Sequence, residues 1–552
     1  MSSRPHPADA GTGVDRASVR TALGLLAIFV LLAIVHLWPL ASAPGTLSRN
    51  DNGDFVLHEW IMAWVAHAVA TNPLHLFDAN IFYPERGTLS YSDHLFVQSM
   101  IGAPLLWGGA SPVLVHNLVL MAGFALTGWT TSLVLRRWTG SWLAAVGGGS
   151  LVAFNAFSLT RLPQIQDLHL EFFPLALFAL DRLLSDPRLR HALSLAGWFV
   201  LHALTGTYLM VFASLSLAAA ALVRPADWIG ARFKRAGGYI VLAAVIAVVL
   251  LTPFLLPYYR ASAEVGLGRS LEETQRFSAE LTDYFAAAGR IHFDILQWSR
   301  PYFQGDALFP GFVALALALV GLWTVGLRDV RTRMLLAIAV VSFALSFGPA
   351  FPPYRVLYHV YPLLTGIRGA VRFGQFTLAA VGMLAAFGIA SIERRLKPAL
   401  AVPVCAALVV AVNAEAMRAP LGYTEYPGTA PIFDSLKQIG STSVLAFFPF
   451  YDSSRFHMNA PFMLATAATR TFHPMLNGYS GFKPASYYEH VKRLAPFPDQ
   501  ASIDYLRELG VTHVLVDGRN MRPAQLDALA TFPELHLWQT DGNLRIYLLT
   551  GK

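Results

Sequence analysis

Long apolar stretches separated by short polar breaks dominate the chain from about residue 20 to residue 418. A helix crosses the roughly 30 Å hydrocarbon core of a bilayer with about 20 apolar residues, so the pattern predicts an α-helical polytopic membrane protein with about 11 transmembrane helices. Several stretches are short for a full crossing, which leaves their ends uncertain by a few residues. The predicted spans are Leu23–Leu40, Val113–Leu135, Trp142–Phe157, Phe172–Leu184, Ala192–Leu204, Tyr208–Val223, Tyr239–Leu256, Phe309–Leu327, Leu335–Phe347, Phe373–Ile392 and Pro403–Ala416.

Arginine and lysine cluster in every second break between these spans, beginning with Arg16 and Arg20 before the first one. The positive-inside rule places such clusters in the cytoplasm. Residues 1–19 then form a cytoplasmic N-terminal tail, while 41–93 and 258–306 become large outer loops. Everything after about residue 418 also faces outward.

Two segments allow a second interpretation. Leu95–Gly108 is apolar, but a crossing there would invert every later loop, so we expect it to be re-entrant or interfacial. The first span ends in Ala41-Ser42-Ala43, which resembles a signal-peptidase site. Its apolar run is longer than that of a usual signal peptide, which favours an uncleaved anchor.

The last part of the chain, residues 419–552, changes character. Ser443–Phe450, Thr512–Val516 and Leu544–Leu549 have the composition of short strands. Ser502–Leu509 and Pro523–Ala530 are predicted as helices, the first of them ending at a glycine. We therefore expect a small extracytoplasmic α/β domain.

Composition agrees with a membrane protein. The chain is 55% hydrophobic and only 14% charged, whereas soluble domains carry about 25% charged residues. The net charge of +7 follows from basic cytoplasmic loops and does not require a nucleic-acid partner. The single cysteine, Cys405, excludes an intrachain disulfide.

The first outer loop contains the most promising chemistry, because Asp51 and Asp54 lie three residues apart in a turn-forming stretch rich in Asn and Gly. Phe55–Ala70 follows as an amphipathic segment expected to lie along the interface. Carboxylates held there can act as a general base or ligate a divalent cation. The alternative is an Asx turn in which Asp54 caps the following helix.

Further polar stretches accompany this pair, among them Tyr91-Ser92-Asp93-His94, Arg161-Leu162-Pro163-Gln164-Ile165-Gln166-Asp167-Leu168-His169, Gly366-Ile367-Arg368-Gly369-Ala370-Val371-Arg372-Phe373 and Asn477-Gly478-Tyr479-Ser480-Gly481-Phe482. With them, nearly the whole chain resembles the polytopic GT-C-type glycosyltransferases, specifically the YfhO-like and dolichyl-phosphate-mannose-protein mannosyltransferase-like membrane proteins.

The resemblance implies a GT-C-like transmembrane domain over residues 20–418. Enzymes of this kind take a sugar from a polyprenyl-phosphate carrier on the outer face of the membrane. They use an acidic residue of the first outer loop as a base or metal contact. The resemblance assigns that role to Asp54, with Asp51 as its partner or substitute.

A second polar group stands where a span begins, formed by Gln166, Asp167, His169 and Glu171. It could bind a metal or the carrier phosphate, or it could be an ordinary polar loop in the headgroup region. We predict Gln166 and His169 as phosphate contacts, and Asp54, His169 and Glu171 as candidate metal ligands. Oxygen ligands without cysteine suit Mg²⁺ or Mn²⁺ better than Zn²⁺.

A lipid-linked phosphate needs cations near the outer headgroups, where the positive-inside rule would not otherwise place them. Arg260, Arg276, Arg368 and Arg372 meet that condition. The last two share one face if they are helical. The alternative is that these side chains snorkel to lipid phosphates.

The leading hypothesis is a bacterial inner-membrane glycosyltransferase that moves a sugar from its polyprenyl-phosphate carrier to an unknown glycan, lipid or protein acceptor, with inversion. Asp54 would deprotonate or orient the acceptor hydroxyl. A transporter or flippase of lipid-linked sugars is the alternative, but transporters place ionisable groups at mid-membrane. A non-catalytic assembly protein of the same fold is a third possibility.

Overall fold

The computed structural model describes residues 16–230, 233–266 and 268–550. The predicted cytoplasmic tail, residues 1–19, lies almost entirely outside the described residues. As far as residue 416 the chain is mainly helical, with α1 (Arg16–His36), α2 (Gly53–Thr71), α3 (Phe96–Trp107), α4 (Pro112–Thr139), α5 (Trp142–Ala153), α6 (Ala156–Thr160), α7 (Phe172–Ser185), α8 (Leu189–Thr205), α9 (Thr207–Leu222), α10 (Pro225–Trp228), α11 (Phe233–Val265), α12 (Leu271–Arg276), α13 (Phe312–Val325), α14 (Val330–Ser346), α15 (Pro352–Val360), α16 (Phe373–Arg395) and α17 (Pro398–Ala416).

All eleven predicted spans fall on helices, namely α1, α4, α5, α7, α8, α9, α11, α13, α14, α16 and α17. The mainly helical membrane fold is thus confirmed. Six of these eleven helices are only 12 to 17 residues long, namely α5, α7, α8, α9, α13 and α14. The number of membrane crossings therefore stays a prediction. Five stretches of the described chain are long and apolar enough to cross a membrane: Val19–His36, Pro112–Thr139, Lys234–Glu264, Ala370–Arg395 and Pro398–Ala416.

Local sequence signals set the ends of these helices. The Ser111 hydroxyl accepts a hydrogen bond from the backbone N–H of Leu114 and caps α4, with Pro112 in its first position. The same helix stops at Gly140, whose φ of +77° suits a left-handed C-cap. Asp329 caps α14 in a similar way through its side-chain oxygen. The ends of these two helices therefore coincide with capping residues that can be recognised in the sequence.

The segment after the first anchor differs from its prediction. Phe55–Ala70 was expected to be amphipathic, yet α2 is buried from Phe55 to Ala66 without interruption, because it is covered by α3, α4 and the last part of the chain. The stretch Leu95–Gly108, predicted to be re-entrant or interfacial, forms the neighbouring helix α3. Its 12 residues extend only about 18 Å, which is short for a bilayer crossing.

The last part of the chain contains a four-stranded sheet, and the three predicted strands correspond to three of its four strands. Its strands are β3 (Val444–Phe448), β4 (Val511–Asp517), β5 (Leu535–Asp541) and β6 (Leu544–Leu549), in the order β3-β4-β6-β5. β3 and β4 are parallel, and the other pairs are antiparallel. β5 was not predicted, because most of its residues are exposed and it lacks an apolar run. The helices here are α18 (Ala460–Ala468), α19 (Ala485–Leu494), α20 (Gln500–Glu508) and α21 (Pro523–Ala528).

This tail packs against the first outer loop rather than standing apart. β1 (Leu47–Ser48) pairs with β2 (Thr424–Glu425) in antiparallel register. The backbone N–H of Phe82 donates to the carbonyl of Asn477 at 3.2 Å. One continuous apolar core joins α2, the loop and the sheet. The first loop and the tail therefore form one packed unit.

Candidate active site

One cavity of about 1130 Å³ runs from this junction into the helix bundle. It has two chemically distinct ends. The polar end is lined by Asp54, His58, Asp93, Gln164, Gln166, Arg269, Arg368 and Arg372. The other end is apolar and lies between α8, α9 and α11, where its walls include Leu195, Phe199, Leu217, Ile240, Val248 and Leu251.

Asp54 stands at the polar end with its carboxylate available to the cavity. The helix cap is Asn52, whose side-chain oxygen accepts from the backbone N–H groups of Asp54 and Phe55 at 3.0 and 3.2 Å. The alternative in which Asp54 itself caps α2 is therefore wrong. Tyr479 donates to Asp54 Oδ1 at 2.8 Å, and Gln164 Nε2 lies 3.4 Å from Oδ2. A carboxylate accepts about four hydrogen bonds, so Asp54 can accept further hydrogen bonds from a substrate.

Asp51, proposed as its partner, points elsewhere. Its side chain is 51% exposed and pairs with Arg49 at 3.2 Å. It is not among the residues that line the cavity. The turn before α2 thus separates two carboxylates that are only three residues apart in sequence.

A different carboxylate, Asp93, shares the polar end with Asp54. Its Oδ1 accepts from the backbone N–H and the hydroxyl of Thr207 at 2.8 and 2.5 Å. Gln166 Nε2 lies 3.4 Å from its Oδ2, and the role of Gln166 as a phosphate contact stays a prediction. Asp93 was not singled out as a site residue. Its position in a polar cluster directly before an apolar segment was the signal that could have found it.

His58 connects Asp54's helix to the second outer loop. Its ring Nδ1 lies 2.7 Å from the carbonyl oxygen of Pro163, to which it donates as the neutral imidazole. Burial lowers the pKa of His58, although the charge of Asp54 opposes the shift. This bond holds the loop so that the neighbouring Gln164 reaches Asp54.

Two of the four predicted arginines, Arg368 and Arg372, line the cavity. Arg372 pairs with the buried Asp167 at 3.4 Å. Burial raises the pKa of Asp167, and the Arg372 charge opposes that shift. Arg368 lies over the ring of Phe277, with 4.7 Å between the guanidinium carbon and the ring centroid. Among the described residues no carboxylate pairs with Arg368.

The other two predicted arginines lie outside the cavity lining. Arg276 is 71% exposed and pairs with Glu272 in its own helix at 2.5 Å, and Arg260 is exposed. Arg269 takes a place in the lining instead, which the sequence did not reveal. It pairs with Glu273 at 2.9 Å and lies over Phe482 of the tail at 3.7 Å.

The candidate metal ligands do not converge. His169 Nδ1 lies 2.8 Å from Glu171 Oε1, and its Nε2 lies 3.2 Å from the Val119 carbonyl oxygen. Both side chains are buried and neither lines the cavity with Asp54. Within the described ranges, no group of three or more His, Cys, Asp or Glu side chains is placed to hold a metal ion. The residues therefore do not fit the predicted Mg²⁺ or Mn²⁺ centre.

No protein-family profile and no curated protein sequence matches this chain, but solved structures do resemble it. The arabinofuranosyltransferase AftD from mycobacteria has a TM-score of 0.59 at 13% identity, covering 97% of this chain and 42% of AftD. The oligosaccharyltransferase AglB from Archaeoglobus fulgidus has a TM-score of 0.49 at 13% identity, over 91% of this chain and 70% of AglB. ArnT from Cupriavidus metallidurans, bound to undecaprenyl phosphate, has a TM-score of 0.47 at 14% identity, over 98% of both chains.

The likeness to AftD defines the class of fold: this chain has the fold of the GT-C-type membrane glycosyltransferases. The resemblance found in the sequence is thereby confirmed at the level of the fold. The chain spans about two fifths of the length of AftD, so the likeness extends to the fold and not to the activity of the whole protein.

Proposed function

We propose that this protein is a membrane glycosyltransferase that takes a sugar from a polyprenyl-phosphate carrier. The observation that carries the proposal is the two-ended cavity, in which Asp54, Asp93 and three arginines stand at one end and apolar helix faces at the other. Such a cavity matches an amphiphile whose head is anionic and whose tail is a hydrocarbon chain.

The apolar end is suited to an isoprenoid chain arriving from the bilayer. The long helix α11 supplies one wall, and its Val248 and Leu256 line the cavity while remaining exposed on the surface of the protein. Apolar side chains exposed on a membrane helix face lipid. A chain could therefore pass between bilayer and cavity along α11 without entering water.

The charges at the polar end favour a carrier with a single phosphate. Arg372 is balanced by Asp167, and Arg269 by Glu273. Arg368 is left without a carboxylate partner in the described part of the chain. A sugar joined to a lipid through one phosphate is a phosphodiester with one negative charge, which a single unpaired guanidinium can neutralise.

The reaction then follows from the placement of Asp54. Its carboxylate accepts the proton of the acceptor hydroxyl while that oxygen bonds to the anomeric carbon. The bond from this carbon to the phosphate oxygen breaks, and the leaving polyprenyl phosphate carries the new charge beside Arg368. A single displacement of this kind inverts the anomeric centre.

AftD, which shares the fold, is named as an arabinofuranosyltransferase, and this supports sugar transfer as the class of reaction. We place the protein in a bacterial inner membrane with a cytoplasmic N-terminal tail at 1–19, a transmembrane domain at 20–418 and an extracytoplasmic domain at 419–552. The shared core of the first loop and the tail supports one common face for donor and acceptor.

The test is sugar transfer by the purified protein in nanodiscs, offered a panel of radiolabelled polyprenyl-phosphate sugars with and without chelator. Transfer that disappears in Asp54→Asn supports the proposal. The matched control is Asp51→Asn, which removes a carboxylate three residues away and outside the cavity. Carrier binding without turnover across the panel would contradict it and favour a transporter of lipid-linked sugars.

A further inference from the structure

The tail reaches the reaction centre through one side chain. Tyr479 Oη donates to Asp54 Oδ1 at 2.8 Å across a sequence separation of 425 residues. Gln164 Nε2, from the second outer loop, lies 3.4 Å from the other oxygen. Donors from two different parts of the chain thus contact the two oxygens of one carboxylate, which restricts its rotation.

The Tyr479 phenol is itself held firmly. Its ring centroid lies 5.2 Å from that of Phe456, and its backbone N–H points to the sulfur of Met463 at 3.1 Å. Burial, followed by the charge of Asp54, raises the pKa of Tyr479 well above its usual value. The hydroxyl therefore keeps its proton at any physiological pH and remains a donor.

The close approach depends on glycine on both sides of the contact. A Cβ added at Gly53 would lie 2.9 Å from the Cβ of His457 and 3.3 Å from the ring of Tyr479. A Cβ added at Gly478 would lie 2.7 Å from the ring of Phe82. The start of α2 and the segment before Tyr479 therefore meet at a distance that larger residues would prevent.

We propose that Tyr479 is a positioning residue for Asp54, so that the tail completes the reaction centre rather than only covering it. This role rests on the glycosyl transfer proposed above. Tyr479 and Gln164 each occupy one acceptor position and leave the others for the acceptor hydroxyl. Tyr479 neither takes nor gives a proton in the reaction. It acts by holding the carboxylate in the orientation that proton transfer requires.

Removing the hydroxyl in Tyr479→Phe keeps the ring packing and deletes only the bond to Asp54. Because hydrogen bonds to charged groups contribute about 1.5–3 kcal/mol, we expect kcat to fall about tenfold to a hundredfold. KM for the donor should stay within about twofold, since Tyr479 does not contact the phosphate end. Tyr488→Phe is the matched control, because Tyr488 is 53% exposed on α19 and its variant should transfer sugar normally.

Two further variants distinguish positioning from a merely structural role. In Asp54→Glu the carboxylate is displaced, so the loss of the Tyr479 hydroxyl should cost much less in that background than in the wild type. Gly53→Ala should push the Tyr479 ring away and lower kcat with the hydroxyl still present. Adding it to Tyr479→Phe should lower kcat little further.

The outcomes separate the two proposals. Absence of transfer by the wild-type protein would overturn the proposed function and this role together. Transfer by the wild type with normal kcat in Tyr479→Phe would overturn the role alone. So would an equal loss of kcat from Tyr479→Phe in the wild-type and Asp54→Glu backgrounds.

Discussion

The helix bundle has charged side chains at both ends, and the two ends differ in how these charges are paired. At the end of α7 away from the cavity's polar end, Asp181 binds cations on both oxygens, Arg224 Nη1 at 2.5 Å on Oδ1 and Arg331 Nε at 3.2 Å on Oδ2. Trp138 also donates to it. We refer to Asp181, Arg224 and Arg331 as the anchoring cluster.

At the other end Arg372 and Arg269 also pair with carboxylates, Asp167 and Glu273. Asp54, Asp93 and Arg368, in contrast, are kept apart from opposite charges among the described residues. Asp54 and Asp93 accept hydrogen bonds from the neutral groups of Tyr479, Gln164, Thr207 and Gln166. Neither forms an ion pair within the described residues, and Arg368 has no carboxylate partner there. Ion pairs between helices stabilise their packing, whereas a charged side chain that contacts only neutral groups remains available to bind a substrate or to transfer a proton. This difference supports the proposal that the reaction centre lies at the Asp54 end.

The largest expected effect is on catalysis at that end. Asp54→Asn removes the base but can still accept from Tyr479, so the protein should fold and insert normally. A general base contributes about 10²–10⁴-fold, and we expect kcat to fall by about a thousandfold. Initial rates with purified protein check this, and a rate within a few-fold of wild type would remove Asp54 from the mechanism.

The anchoring cluster should show the reverse profile. Arg224→Ala leaves the buried carboxylate of Asp181 without its closest cation, and breaking a buried ion pair costs about 3–5 kcal/mol. Thermal unfolding in detergent should therefore shift clearly downward, while kcat for each folded molecule stays normal. Loss of kcat in folded protein would show that the two ends are not separate in function.

Arg368→Ala should affect donor binding rather than folding. Within the part of the chain that the structure describes, the side chain has no carboxylate partner to leave behind, so the unfolding temperature should change little. Losing one charge-assisted contact to phosphate should raise KM for the donor about tenfold to a hundredfold. The exposed Arg276, replaced by alanine in parallel, provides a control with unchanged KM. Equal effects of the two substitutions would contradict the phosphate assignment.

A smaller effect concerns Glu59, which is buried on α2 one turn beyond Asp54. Ser48 donates to one of its oxygens at 3.1 Å. Burial raises the pKa of Glu59 from 4.5 to about 8, so the folded state favours the protonated acid. The favourable contribution of Glu59 to the free energy of unfolding is fully present below pH 4.5 and is lost as the pH rises through 8.

The unfolding temperature should therefore decline across that pH range, and the decline should be shallower in Glu59→Gln, which cannot ionise. Unfolding curves recorded at several pH values for both proteins measure the difference. Parallel pH profiles would show that Glu59 does not titrate on unfolding.

The sequence predicts the helices and most of the sheet because hydropathy and capping are local properties. It misses β5, since an exposed edge strand lacks the apolar run that marks buried strands. It also misjudges α2, because an interfacial position and burial under another part of the chain require similar apolar content. Only the packing of the tail on the first loop distinguishes them.

The candidate site was also predicted only in part, because local patterns do not show which distant residues come into contact. Of the predicted residues, Asp54, Gln166, Arg368 and Arg372 line the cavity. The others lie outside its lining: Asp51, Arg260, Arg276, His169 and Glu171. Sidedness can be deduced from charge patterns, but the direction of a side chain in a loop cannot. Arg269 and Tyr479 become candidate site residues through contacts between distant parts of the chain, which no local pattern encodes. Asp93 differs from them, because its polar cluster before an apolar segment was a local signal.

The central claim is that the two-ended cavity holds a lipid-linked sugar with its phosphate beside Arg368 and its anomeric carbon beside Asp54. The most direct measurement is a cryo-EM structure of the protein in nanodiscs with a non-hydrolysable phosphonate analogue of a polyprenyl-phosphate sugar. We expect the phosphonate within hydrogen-bonding distance of Arg368, the sugar next to Asp54 and the lipid chain along α11. An analogue bound outside this cavity, or one placed with its sugar away from Asp54, would contradict it.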